Sequence, residues 1–215
     1  EQHFPLGFVL NPDDIERELT QAGRLYLGSW GVRDNETGLA KFVDAHPLRP
    51  RLTGPQPHVS GGALRATEGV PLGYFIPIVC DFLRRRWLEA RESFTFETVL
   101  SDAAKLDLLR DARALGYRTY LYYICTDDVL INNERIKIRT ELGGHSVPPD
   151  KVESRYDRSL ALLPQVIALA DRAWLFDNSG KSHVLVGEYE HSRLIRSHRA
   201  RWPLWTRSAG LEPAP

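Results

Sequence analysis

The sequence predicts an α/β fold: a mostly parallel sheet with helices on both faces. Two observations predict it. Short apolar or aromatic runs with strand periodicity alternate with longer runs that carry helix-start and helix-stop residues, through most of the 215 residues. Hydrophobic residues make up 42% and charged residues 26% of the chain, a composition typical of a globular protein with a sizeable core. Strand–helix alternation favours parallel strands joined by helical crossovers.

The first strand and helix have the clearest signals. Residues 6–10 form a short apolar run. Asn11 follows at the position of an N-cap, with a proline and two acids at 12–14 in the first helical turn. We expect this helix to end at Gly23, because glycine tolerates the left-handed conformation that closes a helix.

The next segment is different in character. Over residues 28–73 glycine and proline recur and periodicity is lost, which predicts a long irregular insertion with a short helix near 39–44. A helix over 74–90 follows. We expect one domain over 1–195, and a flexible tail over 196–215 because that stretch is rich in Arg, Trp and Pro.

The second half continues the alternation. Strands are predicted at 93–97, 117–125, 173–180 and 183–190, the last at a sheet edge, with helices at about 101–116, 128–142 and 148–172. In parallel sheets ligands bind outside the carboxyl ends of the strands. Asn11, Asp13, Glu97 and Thr98 all fall at such ends.

Several functional classes are disfavoured by composition. The formal net charge is +0, and no nucleic-acid motif is present, so we expect no nucleic-acid partner. No apolar run is long enough to cross a bilayer and no signal peptide opens the chain, so we expect a cytoplasmic protein without membrane contact. Cys80 and Cys125 lack metal-ligand spacing; we expect two buried, reduced thiols and no metal site.

Three carboxyl-end residues are candidates for chemistry, each with an ordinary structural alternative. Asp13 either complements the helix dipole or acts as a general base that takes a proton from a substrate hydroxyl. Glu97 and Thr98 either form a solvated strand end or hold sugar or ribose hydroxyls.

A group of arginines forms the candidate phosphate site. Arg135 and Arg139 are four residues apart on one predicted helix, and Arg155 and Arg158 are three apart on the next. Like charges at these spacings destabilise a helix by roughly 0.2–0.5 kcal/mol per pair, which favours a shared anion such as a triphosphate. The alternative is that neighbouring acids neutralise them.

The loop between these two helices has its own predicted role. The glycine pair 143–144 would let the helices close as a lid. His145, which follows it, is interpreted as a hydrogen-bonding spacer.

Five stretches together resemble the zeta-toxin family of P-loop kinases. They are, in the family's order over residues 8–180, "FVLNPDDIERELTQAG", "SFTFETVLS", "GYRTYLYYICTDD", "RIKIRTELGGHSVPPDKVESRYDRSL" and "ADRAWLFDNSG". The resemblance implies transfer of the ATP γ-phosphate, with Mg²⁺, to a hydroxyl of a sugar nucleotide such as UDP-N-acetylglucosamine. It also implies an antitoxin protein as a partner.

The resemblance also assigns roles to residues. Asp13 would be the base; Asn11, Glu97 and Thr98 would bind the sugar nucleotide or another hydroxyl-bearing small molecule. The phosphate ligands that the resemblance implies are Arg135, Arg139, Arg155 and Arg158.

The sequence departs from the family at its phosphate loop. No "GxxxxGK[ST]" occurs, and "GGALRATEG" at 61–69 lacks the lysine. We expect that the first strand and loop are missing by truncation, since the chain contains 0 Met, or that the copy is degenerate. These residues alone are therefore expected not to turn over ATP at a useful rate. The alternative function is a non-catalytic sugar-nucleotide-binding or degenerate toxin module.

Overall fold

A computed structural model describes residues 6–33, 36–55, 57–65, 69–144 and 146–211. The chain packs as two compact units that meet in sequence between Glu97 and Thr98. Each unit has a hydrophobic core of its own.

In its described residues, the first unit contains two small sheets and three α-helices. The strands are β1 (Phe8–Leu10), β2 (Arg24–Tyr26), β3 (His58–Ser60), β4 (Ala63–Arg65) and β5 (Phe94–Phe96). The helices are α1 (Pro12–Ala22), α2 (Glu36–Ala45) and α3 (Leu72–Ala90), with 3₁₀ turns at Leu27–Trp30 and Arg49–Arg51. Strands β1 and β5 pair in parallel, and β2, β4 and β3 form an antiparallel sheet in that order.

The β1–β5 pair depends on a close backbone approach at Gly7. This residue has φ +60, and a Cβ atom there would lie 1.8 Å from the carbonyl oxygen of Ser93. The Phe8 N–H donates to that same carbonyl at 3.0 Å. Only glycine fits this position, so Gly7 sets the start of the parallel pairing.

An aromatic cluster packs the pair against α3. Trp87 of α3 stacks on Phe8 with ring centroids 5.2 Å apart and lies 5.4 Å from Phe94. Its indole N–H donates to the carbonyl of Trp30 at 2.7 Å, so the buried ring has its polar atom satisfied. These contacts pack the amino ends of β1 and β5 against α3.

The predicted irregular insertion over 28–73 is wrong in part. The helix near 39–44 is confirmed as α2, but the segment also contributes β3 and β4; β4 pairs with both β2 and β3. Each of these strands has three residues, and buried Leu25 and Leu64 face each other in the register. Strands this short show no clear period-2 pattern, although Gly61 and Gly62, with φ of 59° and 72°, form the two-residue turn between β3 and β4 and were a visible hairpin signal.

The part of the second unit that the structure describes contains one four-stranded sheet and four helices. The strands are β6 (Tyr120–Cys125), β7 (Arg172–Asp177), β8 (Val184–Glu190) and β9 (Arg193–Ser197). The helices are α4 (Ala104–Ala114), α5 (Val129–Glu141), α6 (Pro149–Leu169) and α7 (Leu204–Ser208). The strand order is β6-β7-β8-β9; β6 and β7 are parallel and the other two pairs are antiparallel.

The prediction of β8 as an edge strand is wrong, because β9 pairs with it. The two strands are joined by a two-residue turn in which His191 and Ser192 have φ of 45° and 63°. Positive φ at both central residues is the geometry that matches the twist of a hairpin. Asn and Gly, the usual signals of this turn, are absent, which explains why the sequence did not indicate it.

The predicted flexible tail over 196–215 is also wrong for the residues described. Trp205 of α7 is 1% exposed and belongs to the core of the second unit. Its ring lies 5.6 Å from that of Tyr123, and its backbone N–H donates to Asp127 Oδ1 at 3.2 Å. A large buried aromatic ring therefore holds this segment on the unit.

The fold is mixed α/β, as predicted, but its sheets are small and mixed in direction. Parallel pairing is limited to β1–β5 and β6–β7 in the described residues. The link from β7 to β8 covers residues 178–183. A parallel connection needs a dozen or more residues, so this pair must be antiparallel.

The sheet of the second unit has one packed face and one open face. Tyr123 and Leu175 point into the core with Leu163 of α6, whereas Tyr122 and Ile124 are each 58% exposed. Within the described part of the second unit, the predicted helices on both sheet faces are therefore not observed. The expected buried thiols are observed: Cys80 and Cys125 are both buried, and neither is in a disulfide bond. No described helix has the length and apolar character needed to cross a bilayer.

Candidate functional site

The first part of the candidate site joins the two segments that follow β1 and β5. The Glu97 N–H donates to the carbonyl of Leu10 at 3.1 Å, which extends the ladder by one residue. Beyond it, the Asn11 amide Nδ2 donates to Glu97 Oε2 at 3.2 Å. Asn11 and Glu97 are therefore brought together at the carboxyl end of a parallel pair.

Asn11 has a second structural role. Its Oδ1 accepts from the Asp13 N–H at 2.9 Å, and its backbone is extended with φ −115 and ψ 122. This is N-cap geometry, as predicted. One amide side chain thus starts α1 and also holds the Glu97 carboxylate.

The two acids in the first turn of α1 differ in their partners. Asp14 forms an ion pair with Arg17 on the same helix. Asp13 is exposed, and its carboxylate has no hydrogen bond or ion pair with any described residue. The structure therefore leaves Asp13 available to an incoming group at the same strand ends as Glu97.

Thr98 begins the second unit and lies in a tight turn. Its Oγ1 accepts from the Leu100 N–H at 3.2 Å, and Leu100 has a positive φ of 56°. Thr98 is exposed, and Leu100 is buried. The hydroxyl hydrogen remains available, while the oxygen stabilises the turn that brings Leu100 into the core.

Arg135 is the predicted phosphate ligand with the clearest structural contacts. Its Nη2 lies 2.8 Å from the carbonyl oxygen of Asn178 and 3.3 Å from that of Gly180. Arg135 therefore holds α5 against the loop after β7. A guanidinium has five N–H donors, so further donors remain for an anion.

Polar groups form a network at the carboxyl ends of β6 and β7. The Asp127 N–H donates to Ser179 Oγ at 2.8 Å, and that hydroxyl donates to Asp177 Oδ1 at 2.6 Å. The Asn178 N–H donates to the Cys125 carbonyl at 2.7 Å. Ser179 was not singled out from the sequence, although its place after a strand and beside two strand-end acids was a visible signal.

Burial raises the pKa of several groups below this network. It raises the pKa of the Cys125 thiol to about 11. It also raises the pKa of Tyr123 and, together with the nearby Cys125, that of Tyr156. The Tyr156 hydroxyl donates to the Thr126 carbonyl at 2.7 Å. These groups stay protonated at neutral pH and serve as donors in the structure.

The glycine pair after α5 acts as a helix terminator. The Gly143 N–H donates to Thr140 at 3.0 Å and the Gly144 N–H to Arg139 at 2.9 Å, both to carbonyl oxygens. A Cβ atom on Gly144 would lie 2.7 Å from Cγ of Arg139. The pair is therefore needed where α5 ends, which is a structural reason for its presence. Its predicted role as a hinge stays a prediction.

Arg155 and Arg158 are exposed on α6. Within the described ranges neither makes an ion pair or a side-chain hydrogen bond, and this includes the neighbouring acids Glu153 and Asp157. Neutralisation by those acids is therefore not observed. Arg139 is exposed as well.

Two sequence-derived features fall partly or wholly outside the described residues. His145 lies outside them, as do positions 66–68 of "GGALRATEG". Among the residues that are described, no three His, Cys, Asp or Glu side chains are placed to hold a metal ion together.

Comparison with known proteins gives little that bears on the reaction. No family model matches the chain, and no solved structure matches it. An uncharacterized protein of Haemophilus influenzae is 36% identical over 63 residues, which is 29% of this chain and 45% of that protein. The chain thus matches less than half the length of this relative, and the site geometry has to carry the functional argument.

Proposed function

We propose that the protein is an ATP-dependent phosphotransferase of the zeta-toxin kind, acting on a hydroxyl of a sugar nucleotide such as UDP-N-acetylglucosamine. The observation that carries the proposal is the Asn11–Glu97 hydrogen bond of 3.2 Å at the carboxyl end of β1 and β5, beside Asp13, whose carboxylate has no partner among the described residues. These are the three first-unit residues that the family resemblance selects.

The chemistry assigned to this end of the pair follows from the groups present. Glu97 accepts hydrogen bonds from sugar hydroxyls, and the Asn11 amide fixes the carboxylate for that purpose. Asp13 orients the acceptor hydroxyl and takes its proton as the phosphoryl group transfers. The hydroxyl of Thr98 donates to the sugar nucleotide.

In this proposal the arginines of α5 and α6 bind phosphate oxygens of ATP. Arg155 and Arg158 have no acidic partner among the described residues, and Arg135 keeps donors beyond its two carbonyl contacts. Bound ATP with Mg²⁺ would supply the phosphoryl group. The fold proposed is P-loop kinase-like, which is supported by the parallel pairs β1–β5 and β6–β7.

The test is phosphoryl transfer from ATP to a panel of UDP-sugars, using protein expressed from its complete reading frame. We expect a phosphorylated sugar nucleotide in the presence of Mg²⁺. Glu97→Ala should raise KM for the acceptor by about tenfold or more, since it removes a charge-assisted hydrogen bond, with little change in KM for ATP. No phosphorylated product with any hydroxyl acceptor would overturn the proposed reaction.

A second candidate is a sugar-nucleotide-binding module without turnover. It is favoured by the absence of a "GxxxxGK[ST]" stretch from the 215 residues. Two results together would support this candidate over the enzyme. The protein would make no product, and calorimetry would show binding of UDP-N-acetylglucosamine that is lost in Glu97→Ala.

A further inference from the structure

The outer strand of the four-stranded sheet carries two arginines on one face. In the register, Arg193 lies opposite Glu190 and Arg196 lies opposite Glu188. The two acids are two residues apart, whereas the arginines are three apart. The register shift at Glu188/Tyr189 accounts for the extra residue and brings both arginines to the face that carries the acids.

The acids opposite these arginines are occupied by other partners. His198 Nε2 donates to Glu188 Oε1 at 2.6 Å, and Arg172 Nη2 donates to Glu188 Oε2 at 3.4 Å. Arg172 Nε also lies 4.0 Å from Glu190 Oε1. Across the residues that the structure covers, Arg193 and Arg196 have no ion pair, and both are exposed.

The positive charge continues beyond the strand. Arg199 and Arg201 are exposed and likewise lack an ion pair within the described part of the chain. The sequence has no Asp or Glu between Glu190 and Glu212, although the whole chain balances 28 basic against 28 acidic residues. This edge of the second unit is therefore a concentrated positive surface on a chain without net charge.

Strand β9 is also an open sheet edge. It is the last strand in the order β6-β7-β8-β9, so within the described residues its outer backbone groups pair with no further strand. An open edge is a template for an added strand, and like charges on it repel a second copy of the same edge. An acidic strand meets no such repulsion and gains ion pairs with the unpaired arginines.

We propose that β9 binds an extended acidic segment of a partner protein, which adds to the sheet as a fifth strand. Backbone hydrogen bonds to β9 would provide affinity, and carboxylates at alternate positions would pair with Arg193 and Arg196. Arg199 and Arg201 would contact acidic residues that follow the added strand. This inference does not depend on the proposed phosphotransfer.

The probe is a fluorescent ten-residue peptide in which Glu alternates with Val and Thr, with a matched peptide that has Lys in place of each Glu. We expect the full-length protein to bind the acidic peptide and not the Lys peptide. Arg193→Gln/Arg196→Gln should weaken binding at least about tenfold, because two charge-assisted contacts are lost. The control, Arg110→Gln/Lys137→Gln, has the same charge change elsewhere on the second unit and should change binding less than about twofold.

Hydrogen exchange distinguishes strand addition from general attraction to polyanions. The acidic peptide should slow exchange at the backbone amides of 193–197, and poly-uridylate should not. Equal binding of both peptides, an equal loss in the control variant, or binding without protection of these amides would each overturn the proposal. So would poly-uridylate binding more tightly than the peptide, since that would indicate a nucleic-acid surface.

Discussion

The double role of Asn11 makes a stability prediction that tests the candidate site without any assay of activity. Its Oδ1 caps α1 through the Asp13 N–H at 2.9 Å, and its Nδ2 holds Glu97 at 3.2 Å. Asn11→Ser retains a capping oxygen and removes the contact with Glu97. Asn11→Ala removes both, so the two variants separate the two roles.

The magnitudes follow from the two interactions. Loss of an N-cap costs about 1 kcal/mol, and loss of a partly exposed hydrogen bond to a carboxylate costs about 0.5–1 kcal/mol. We therefore expect Asn11→Ser to lower the free energy of unfolding by about 0.5–1 kcal/mol and Asn11→Ala by about 1.5–2 kcal/mol. In a double-mutant cycle, Asn11→Ser and Glu97→Ala should show a coupling of about 0.5 kcal/mol or more in the free energy of unfolding.

The assay is urea unfolding, with the signal of the first unit followed through Trp30 and Trp87. Amide exchange in the first turn of α1 gives a second readout, which should accelerate in Asn11→Ala and remain near the wild-type rate in Asn11→Ser. Equal destabilisation by both variants would contradict the separation of roles. Additive effects of Asn11→Ser and Glu97→Ala would show that the hydrogen bond does not couple the two strand ends.

Three further predictions concern the second unit. Trp205→Ala should lower the free energy of unfolding by about 3–5 kcal/mol. Trp205→Phe should lower it by much less, because the indole Nε1 is buried without a hydrogen-bond partner among the described residues and its loss breaks no hydrogen bond. Equal losses for the two variants on urea unfolding would refute this. Ser192→Gly should raise the unfolding free energy by about 1 kcal/mol, since Ser192 has φ 63; a destabilised variant would contradict the turn geometry. Burial raises the Cys125 pKa from 9.0 to about 11, so the native state holds the proton more tightly than the unfolded state does. The free energy of unfolding should therefore fall as the pH rises from about 9 to about 11. A Cys125→Ala variant should lack this part of the pH dependence, and the same pH dependence in both proteins would refute the role of Cys125.

The elements that could be predicted from sequence are those with strong local signals. Asn11, Pro12 and Gly23 mark the start and end of α1 independently of tertiary contacts, and the structure confirms all three positions. The helices α3 to α6 were likewise indicated by their apolar stripes and end signals. In each case a favourable local conformation agrees with the final packing.

The missed elements are short, and they depend on strand pairing or side-chain burial instead of a periodic pattern. Strands β2, β3 and β4 have three residues each and exist through their mutual pairing. Strand β9 follows a turn formed without Asn or Gly, and α7 has five residues held by the burial of Trp205. Only the β3–β4 hairpin carried a local signal, the Gly61–Gly62 turn; β2, β9 and α7 had none of comparable strength.

The mixed direction of the sheets could have been predicted from connection length. The predicted strands at 173–180 and 183–190 leave too few residues between them for a parallel crossover, so strand–helix alternation does not extend to this pair. The candidate site could likewise be predicted from the sequence only in part. Sequence placed Asn11 and Glu97 at strand ends, but the structure was needed to show that one bonds the other and that Asp14, not Asp13, pairs with Arg17.

We propose that Asp13 acts on an acceptor hydroxyl at the carboxyl end of β1 and β5. The most direct measurement compares kcat and KM of Asp13→Asn and Asp14→Asn in the transfer assay from ATP to UDP-N-acetylglucosamine. Both substitutions remove one charge from the first turn of the same helix, so their effects on the helix dipole are matched. We predict that Asp13→Asn lowers kcat by about a hundredfold or more with little change in KM for ATP, and that Asp14→Asn retains most of the activity. Equal activity of the two variants, or an active Asp13→Asn enzyme, would contradict the assignment of the base.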